Sequence, residues 1–225
     1  MRVLDLFSGI GGFSLGLERA GMTTVAFCEI EPFPRRVLAK HWPGVPIHDD
    51  IKSLDGSQYR GAIDVLCGGF PCQPFSTAGK QEGAKHNSYL WPEMLRVVRE
   101  SRPNWVIAEN VAGLDSMDLE RVVSDLEAVG YQVWPILIPA CAVGLPHRRN
   151  RIWICGYSDS DSESGRTLDA EAPRLQRDGD DAGSLGGIHG LSQGLDSARA
   201  RMSALGNAVA PGIPEQIGRA IMEAA

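Results

Sequence analysis

The chain has 225 residues, of which 43% are hydrophobic and 22% charged, and a formal net charge of −6. That is the composition of a soluble globular protein with one sizeable domain, or one domain and a small appendage. It excludes a membrane-spanning chain, because no run long enough to cross a bilayer is apolar, and it argues weakly against nucleic acid, which favours basic surfaces.

In chain order, 2–7 (RVLDLF) predicts a strand, and 12–21 shows helical spacing through Phe13, Leu17 and Ala20, closed by Gly21. A strand over 23–29, a helix over 32–42 with proline in its first turn, and a short strand over 45–50 follow. The run 62–69 (AIDVLCGG) reads as a buried strand, 90–100 as a helix, 104–110 as a strand, and 118–130 as an amphipathic helix ending at Gly130. Late strands are predicted over 131–140 and 151–157. Strands alternating with helices imply an α/β fold, a doubly wound and mostly parallel sheet with helices on both faces. The pattern breaks at 158–200, which is rich in Ser, Asp and Gly and reads as an irregular segment. Order returns over 201–224, whose end is helical. The expected division is therefore 1–157 plus 201–225 as one catalytic domain, with 158–200 as an insertion.

The five cysteines are odd in number and form no C-x-x-C pair. Both facts point away from a disulfide framework or a metal site and toward a reducing cytoplasm. The start MRVLDLF enters a strand directly, so no signal peptide is expected.

Ligands of such sheets bind beyond the carboxyl ends of the strands, and the conspicuous polar groups lie there. DLFSGIGG (5–12) joins strand to helix through glycines, which is either a plain tight turn or a place where backbone N–H groups approach a ligand. Glu29 ends the second strand, where an acid commonly holds ribose hydroxyls. Cys72 sits in GGFPCQPFS (68–76), a loop shaped by Pro71 and Pro74. A cysteine is usually a small buried hydrophobe, which is the reading for Cys28, Cys67, Cys141 and Cys155. Cys72 is held off the strand and reads as a candidate nucleophile. Glu109, in AENVAG, is a helix cap, a surface acid or a site acid. PHRRNRIW (146–153) is a solvated basic turn, or else a strand on which Arg149 and Arg151 alternate to one face.

Taken together these segments resemble the DNA (cytosine-5) methyltransferases over nearly the whole chain except 158–200. DLFSGIGGFSLGLERAG is similar to that family's first motif, GGFPCQPFS to its catalytic motif and ENV to its glutamate motif. GLPHRRNRIWICG resembles its arginine motif, with His147 in place of Gln, and ALGNAVAPGIPEQIG its last motif. The resemblance implies a Rossmann-like methyltransferase fold, S-adenosyl-L-methionine as cofactor, double-stranded DNA as partner, no metal and no membrane. It also implies a bacterial or phage protein of the cytoplasm, of the restriction–modification kind.

By the same resemblance Cys72 attacks a flipped cytosine, Glu109 serves its N3, and Arg149 and Arg151 orient thiol and base. The cofactor would be held in the Gly9, Gly11 and Gly12 turn. Phe7 and Ile30 would lie on its adenine and Glu29 on its ribose. Asp50 would take its amino group, with Ile51 beside the ring, and Leu90, Asn207 and Val209 would complete the wall. The loop 76–88 would close over DNA, with Gln73, Ser76, Lys80, Lys85 and Arg148 as contacts. The family's recognition domain normally fills the place of 158–200, which here carries nine acids against four arginines. Three readings stay open: a reduced loop reading a short site, a segment ordered only by DNA or by a partner protein or second copy, and a vestigial enzyme. If bases are read here, Arg166, Arg174, Arg177, His189 and Gln193 are the candidates. An RNA cytosine methyltransferase and a catalytically idle relative are the alternative functions.

Overall fold

The structure, a computed structural model, describes residues 1–72, 89–114, 116–158 and 207–224. Seven strands form one sheet: β1 (Arg2–Leu6), β2 (Thr23–Cys28), β3 (Ile47–His48), β4 (Val65–Gly69), β5 (Trp105–Val111), β6 (Gln132–Pro139) and β7 (Asn150–Tyr157). Among the described residues five α-helices accompany them: α1 (Gly12–Arg19), α2 (Pro32–His41), α3 (Trp91–Ser101), α4 (Ser116–Glu127) and α5 (Gly212–Ala224). The strand order is β3-β2-β1-β4-β5-β7-β6. All pairs are parallel except those of β7, which runs antiparallel between β5 and β6. The mostly parallel sheet matches expectation, but the insertion of the last strand between its two predecessors was not legible in the chain order. β3 is also much shorter than predicted, two residues on the sheet's edge.

Period-two alternation explains the continuous apolar runs, because both faces are covered. Leu4, Leu6, Leu66, Val106, Ala108 and Ile154 face α3 and α4, and pack with Trp91, Met94, Val98, Val122 and Leu126. Val3, Val65, Cys67, Ile107, Trp153 and Cys155 face the other way, onto Phe13 and Leu17 of α1 and Ile213, Ile217 and Ile221 of α5. A third cluster puts Phe33, Val37 and Leu38 of α2 against Phe27, with Trp42 and Ala208. A Cβ on Gly16 would stand 2.3 Å from the Pro211 carbonyl, so the close approach of α1 and the start of α5 requires glycine there. The chain therefore returns, after its irregular stretch, to lie beside the first strand and helix, as the last motif required. The irregular stretch itself, 159–200, lies outside the described residues.

The first helix also has a capping device that its local sequence lacks. Gly11, at the N-cap position, offers no side chain. Asp5 of β1 substitutes from across the turn: the Ser14 N–H and hydroxyl both donate to its Oδ2, at 3.3 and 2.7 Å. Asp5 is fully buried, and burial pushes its carboxyl up from 3.8 to about 7. Since the folded value lies above the unfolded one, the stabilisation is complete below pH 3.8 and is lost as pH rises through about 7. The ceiling on that loss is about 4 kcal/mol. Asp5→Asn, which keeps the acceptor for Ser14, is expected to flatten this slope. Urea midpoints of both proteins across that pH window are the measurement, and an unchanged slope would contradict the assignment.

Candidate active site

The alternation that builds the core also sorts the polar groups at the carboxyl ends of β4 and β5. Glu109 shares its face with Ile107, whereas Asn110 shares the opposite face with Ala108. Glu109 lies opposite Gly69 in the parallel β4–β5 register. A Cβ on Gly69 would stand 3.0 Å from the Glu109 Oε2, so the absence of a side chain there makes room for the carboxylate. Arg151 of β7 reaches the same face and donates from Nε to Glu109 Oε1 at 2.8 Å, with both side chains largely buried. Burial holds the Glu109 carboxyl above its ordinary value, while the Arg151 and Arg149 guanidiniums pull it back down.

Arg149 does not alternate with Arg151 along a strand. It precedes β7, with a positive φ of 22°, and is brought near Glu109 by the turn and not by strand periodicity. Such a backbone is strained for a residue with a Cβ. Burial and the neighbouring Arg151 charge lower its pKa, and Glu109 opposes both. The arginine pair is thus gathered on the acid. Arg148 is exposed on the same turn, its carbonyl accepting from Ala140 N–H.

Cys72 stands on the other side of the β5 end. Its thiol donates to Asn110 Oδ1 at 2.7 Å. Burial raises the thiol pKa, the Asn110 hydrogen bond lowers it, and the Asp118 and Glu109 carboxylates raise it further. Asn110 also donates from Nδ2 to the Phe70 carbonyl at 3.0 Å, and its Oδ1 accepts the Val111 N–H. One buried amide therefore ties the Phe70–Cys72 loop to β5. The sequence singles out ENV as a motif but assigns nothing to its Asn, whose partners lie 38 and 40 residues away. Asn110→Leu leaves the Phe70 carbonyl without this donor. It is expected to cost about 1–3 kcal/mol of stability and to loosen the thiol's position. Chemical denaturation and the rate of Cys72 alkylation check this; unchanged values of both would remove the anchoring role.

An isolated antiparallel bridge pairs Cys72 with Tyr89, joining the ends of the expected closing loop. Gln73, Ser76, Lys80 and Lys85 fall between these two residues, and Arg166, Arg174, Arg177, His189 and Gln193 within 159–200; all lie outside the described residues. Of the remaining cysteines, 28, 67 and 155 are buried as expected, but Cys141 is exposed. It lies on a one-turn 3-10 helix that leaves the edge strand β6, where no layer formed by the described residues covers it.

The second group of polar residues rings the ends of β1 and β2. Glu29 is nearly buried, its Oε2 accepting from Gly9 N–H at 2.7 Å and its Oε1 from Glu31 N–H at 2.8 Å. Burial raises its pKa and these backbone donors lower it. Phe7 follows β1 with a positive φ of 52°, a strained conformation for an aromatic residue. Gly9 also has positive φ, and nothing lies within 4 Å of where its Cβ would stand. Ile30 is 64% exposed directly after the buried Glu29. Gly11 and Gly12 are needed for packing: a Cβ would stand 2.5 Å from Trp42 and from the Val209 carbonyl, respectively. Asp50 accepts at Oδ1 from Lys52 N–H, Ile51 is buried, Leu90 precedes α3 and packs on the core, and Asn207 is exposed.

An open edge between a buried acid and an exposed aliphatic side chain fits a ligand with an apolar ring and hydroxyls. Sheet and residues together define an α/β protein with a thiol and an acid at the carboxyl ends of β4 and β5, two guanidiniums at the adjoining amino end of antiparallel β7, and an open edge beyond β1 and β2. The family model for C-5 cytosine-specific DNA methylase matches residues 1–188, and the chain belongs to that family. It is 37% identical over 161 residues to the type II methyltransferase M2.BsuMI of Bacillus subtilis, covering 68% of this chain and 41% of that protein. To the type II methylase M.HgiEI of Herpetosiphon aurantiacus it is 34% identical over 195 residues, covering 78% and 45%. The chain therefore spans less than half the length of these two relatives. In fold it is similar to the Entamoeba histolytica methyltransferase EhMeth, with a TM-score of 0.73 at 14% identity, covering 100% of this chain and 98% of that one. Among the described residues, no helix is long and apolar enough to cross a membrane, and no group of three or more His, Cys, Asp or Glu could hold a metal ion.

Proposed function

We propose that this chain methylates C5 of cytosine in double-stranded DNA, using S-adenosyl-L-methionine and a covalent bond between Cys72 and C6 of a flipped base. The observation that carries the reading is the division of labour at β5: Asn110 holds the Cys72 loop on one face while Glu109 is paired with Arg151 on the other. Cytosine C5 is a poor nucleophile until the ring's aromaticity is broken. Addition of the Cys72 thiolate at C6 breaks it and pushes electron density toward C5. Glu109, kept above the ordinary carboxylate range by burial, holds a proton or hydrogen bond at N3, where the charge develops. Arg151 and Arg149 fix that carboxyl. When bound, the cofactor supplies the methyl group as an electrophile. Loss of the C5 proton and expulsion of the Cys72 thiolate restore the ring. A stacked cytosine does not expose C6 to this thiol, so the base is extruded first.

The cofactor residues are Glu29 on the ribose, Phe7 and Ile30 about the adenine, Asp50 on its amino group with Ile51 beside it, and Leu90, Asn207 and Val209 as the wall. The glycine turn closes the site at Gly9. Glu29→Ala is expected to weaken cofactor binding by about 1.5–3 kcal/mol, the range for hydrogen bonds to a charged group, and to leave DNA affinity nearly unchanged. Calorimetry showing equal cofactor affinity would place the ribose contact elsewhere.

Acting on cytoplasmic DNA in a bacterial or phage-infected cell, the chain would read its site with few groups. Its acidic 158–200 segment supports a short or degenerate target or contacts supplied by a partner protein or second copy. The test is transfer of labelled methyl groups to duplex DNA and to tRNA, followed by bisulfite sequencing of DNA from expressing cells. Transfer to tRNA alone would replace the DNA reading with the RNA one, and no transfer to either would favour an idle relative. A long, strictly observed site read by the isolated chain would overturn the reduced-recognition reading.

A further inference from the structure

Resting on the cofactor reading above, we infer that Arg96 and Glu100 of α3 are positioning residues for cofactor binding. They clamp the turn that carries Asp50 and Ile51. The need arises from the sheet. β3 is two residues long, lies on the edge and ends at His48. No strand ladder therefore holds the chain that follows.

Within 50–54 the turn is closed by its own bonds. Asp50 Oδ1 accepts from Lys52 N–H, the Asp50 carbonyl accepts from Ser53 N–H and hydroxyl, and the Ile51 carbonyl accepts from Leu54 N–H. These fix its shape but not its place against the rest of the fold. Its place is set from α3. Arg96 donates from Nη2 to the Ile51 carbonyl at 2.6 Å and from Nη1 to the Leu54 carbonyl at 2.9 Å. The guanidinium is itself held by Glu93, through Nε, and by Glu100, through Nη1. Glu100 Oε2 also accepts from Gly56 N–H at 2.8 Å, so one carboxylate closes both the guanidinium and the far end of the turn.

A planar fork suits this task, since two carbonyls and two carboxylates are reached at once, which a lysine ammonium does not do. Burial of Ile51 in the core that includes α3 completes the contact. The same helix begins just after Leu90, whose N–H donates to the Pro71 carbonyl beside Cys72. The clamp therefore ties the adenine side of the cofactor site to the helix that leaves the nucleophile's loop. Arg96 bonds the Ile51 and Leu54 carbonyls and the Glu93 and Glu100 carboxylates, and so acts through Asp50 and Ile51.

The experiment uses the full chain with Arg96→Met and Arg96→Lys. Affinity for S-adenosyl-L-methionine is measured by calorimetry, hydrogen exchange is followed at 50–56, and KM for the cofactor is compared with kcat. Arg96→Met is expected to weaken cofactor binding about tenfold or more, given two lost hydrogen bonds from a charged group. It should also raise exchange at 50–56 and raise the cofactor KM, while kcat at saturation changes by less than about threefold. Arg96→Lys should recover only part of the loss. If Arg96→Met does not fold, Gly56→Ala carries the test, because its Cβ would stand 2.8 Å from Glu100 Oε2 and 3.1 Å from the Val97 carbonyl, pushing the turn off α3. Unchanged affinity in a folded variant whose exchange at 50–56 has risen overturns the clamp alone. A wild-type chain that binds no cofactor overturns the cofactor reading, and the clamp with it.

Discussion

A Cys72→Ser protein is expected to fold, to bind S-adenosyl-L-methionine as the wild type does, and to transfer no measurable methyl group. Serine is nearly isosteric and can keep the hydrogen bond that the thiol donates to Asn110 Oδ1. The Phe70–Cys72 loop would therefore stay anchored. What is lost is the nucleophile. A thiolate is an intrinsically strong nucleophile and a thiol ionises far more readily than a hydroxyl, which needs a base beside it, and the hydrogen bond of Cys72 is to an amide, which is no base. The wild-type rate should also rise with pH. Burial and the Asp118 and Glu109 carboxylates hold the thiol above 9.0, so its reactive thiolate fraction grows as pH climbs toward that value. Methyl transfer to DNA and trapping with a 5-fluorocytosine duplex are the measurements. A serine variant that methylates at near the wild-type rate would remove the covalent mechanism.

Glu109→Gln is expected to lower the rate about 10²–10⁴-fold, the usual contribution of a positioned acid or base. Glutamine can still accept from Arg151 Nε, so the fold should lose little. It cannot supply a proton to N3. Because burial raises the folded pKa of Glu109, the wild-type carboxyl keeps its proton to higher pH than a free glutamate. Any limb of the rate profile governed by it falls as pH rises through that value, and the glutamine variant should lack that limb. Equal rates in the two proteins, with unchanged thermal stability, would shift the N3 role to another group.

The sites were legible to different depths. Cys72 stood out because Pro71 and Pro74 exclude it from helix and central strand, and Glu29 and Glu109 because each ends an apolar run. Asn110 was overlooked because an amide next to an acid has no distinctive local pattern. Only the Phe70 carbonyl and the thiol, both more than thirty residues away in sequence, reveal its role. Arg149 and Arg151 read as alternating on one strand, but β7 begins at Asn150, so strand periodicity does not extend to Arg149, and the ion pair of Arg151 with Glu109 is visible only in the fold. Arg96 showed only helical spacing, and nothing near it in sequence identifies the carbonyls of Ile51 and Leu54 as its partners.

By itself the sequence determined what depends on nearest neighbours and short periods. Apolar runs alternating with helical spacing yielded the strands, the helices and the mostly parallel sheet. Ordered motifs yielded the family and the candidate site residues. The tertiary structure decided what depends on groups far apart in the chain. It slots β7 antiparallel between β5 and β6, caps α1 from Asp5, divides Glu109 and Asn110 between two faces, and hangs the Asp50 turn on α3. The physical reason is that local propensity involves a few adjacent dihedrals, whereas a buried hydrogen bond or ion pair is satisfied by whichever partner the packing brings within reach. In this chain hydrogen-bonded partners lie as far as 62 residues apart along the sequence, as between Arg2 and Asp64.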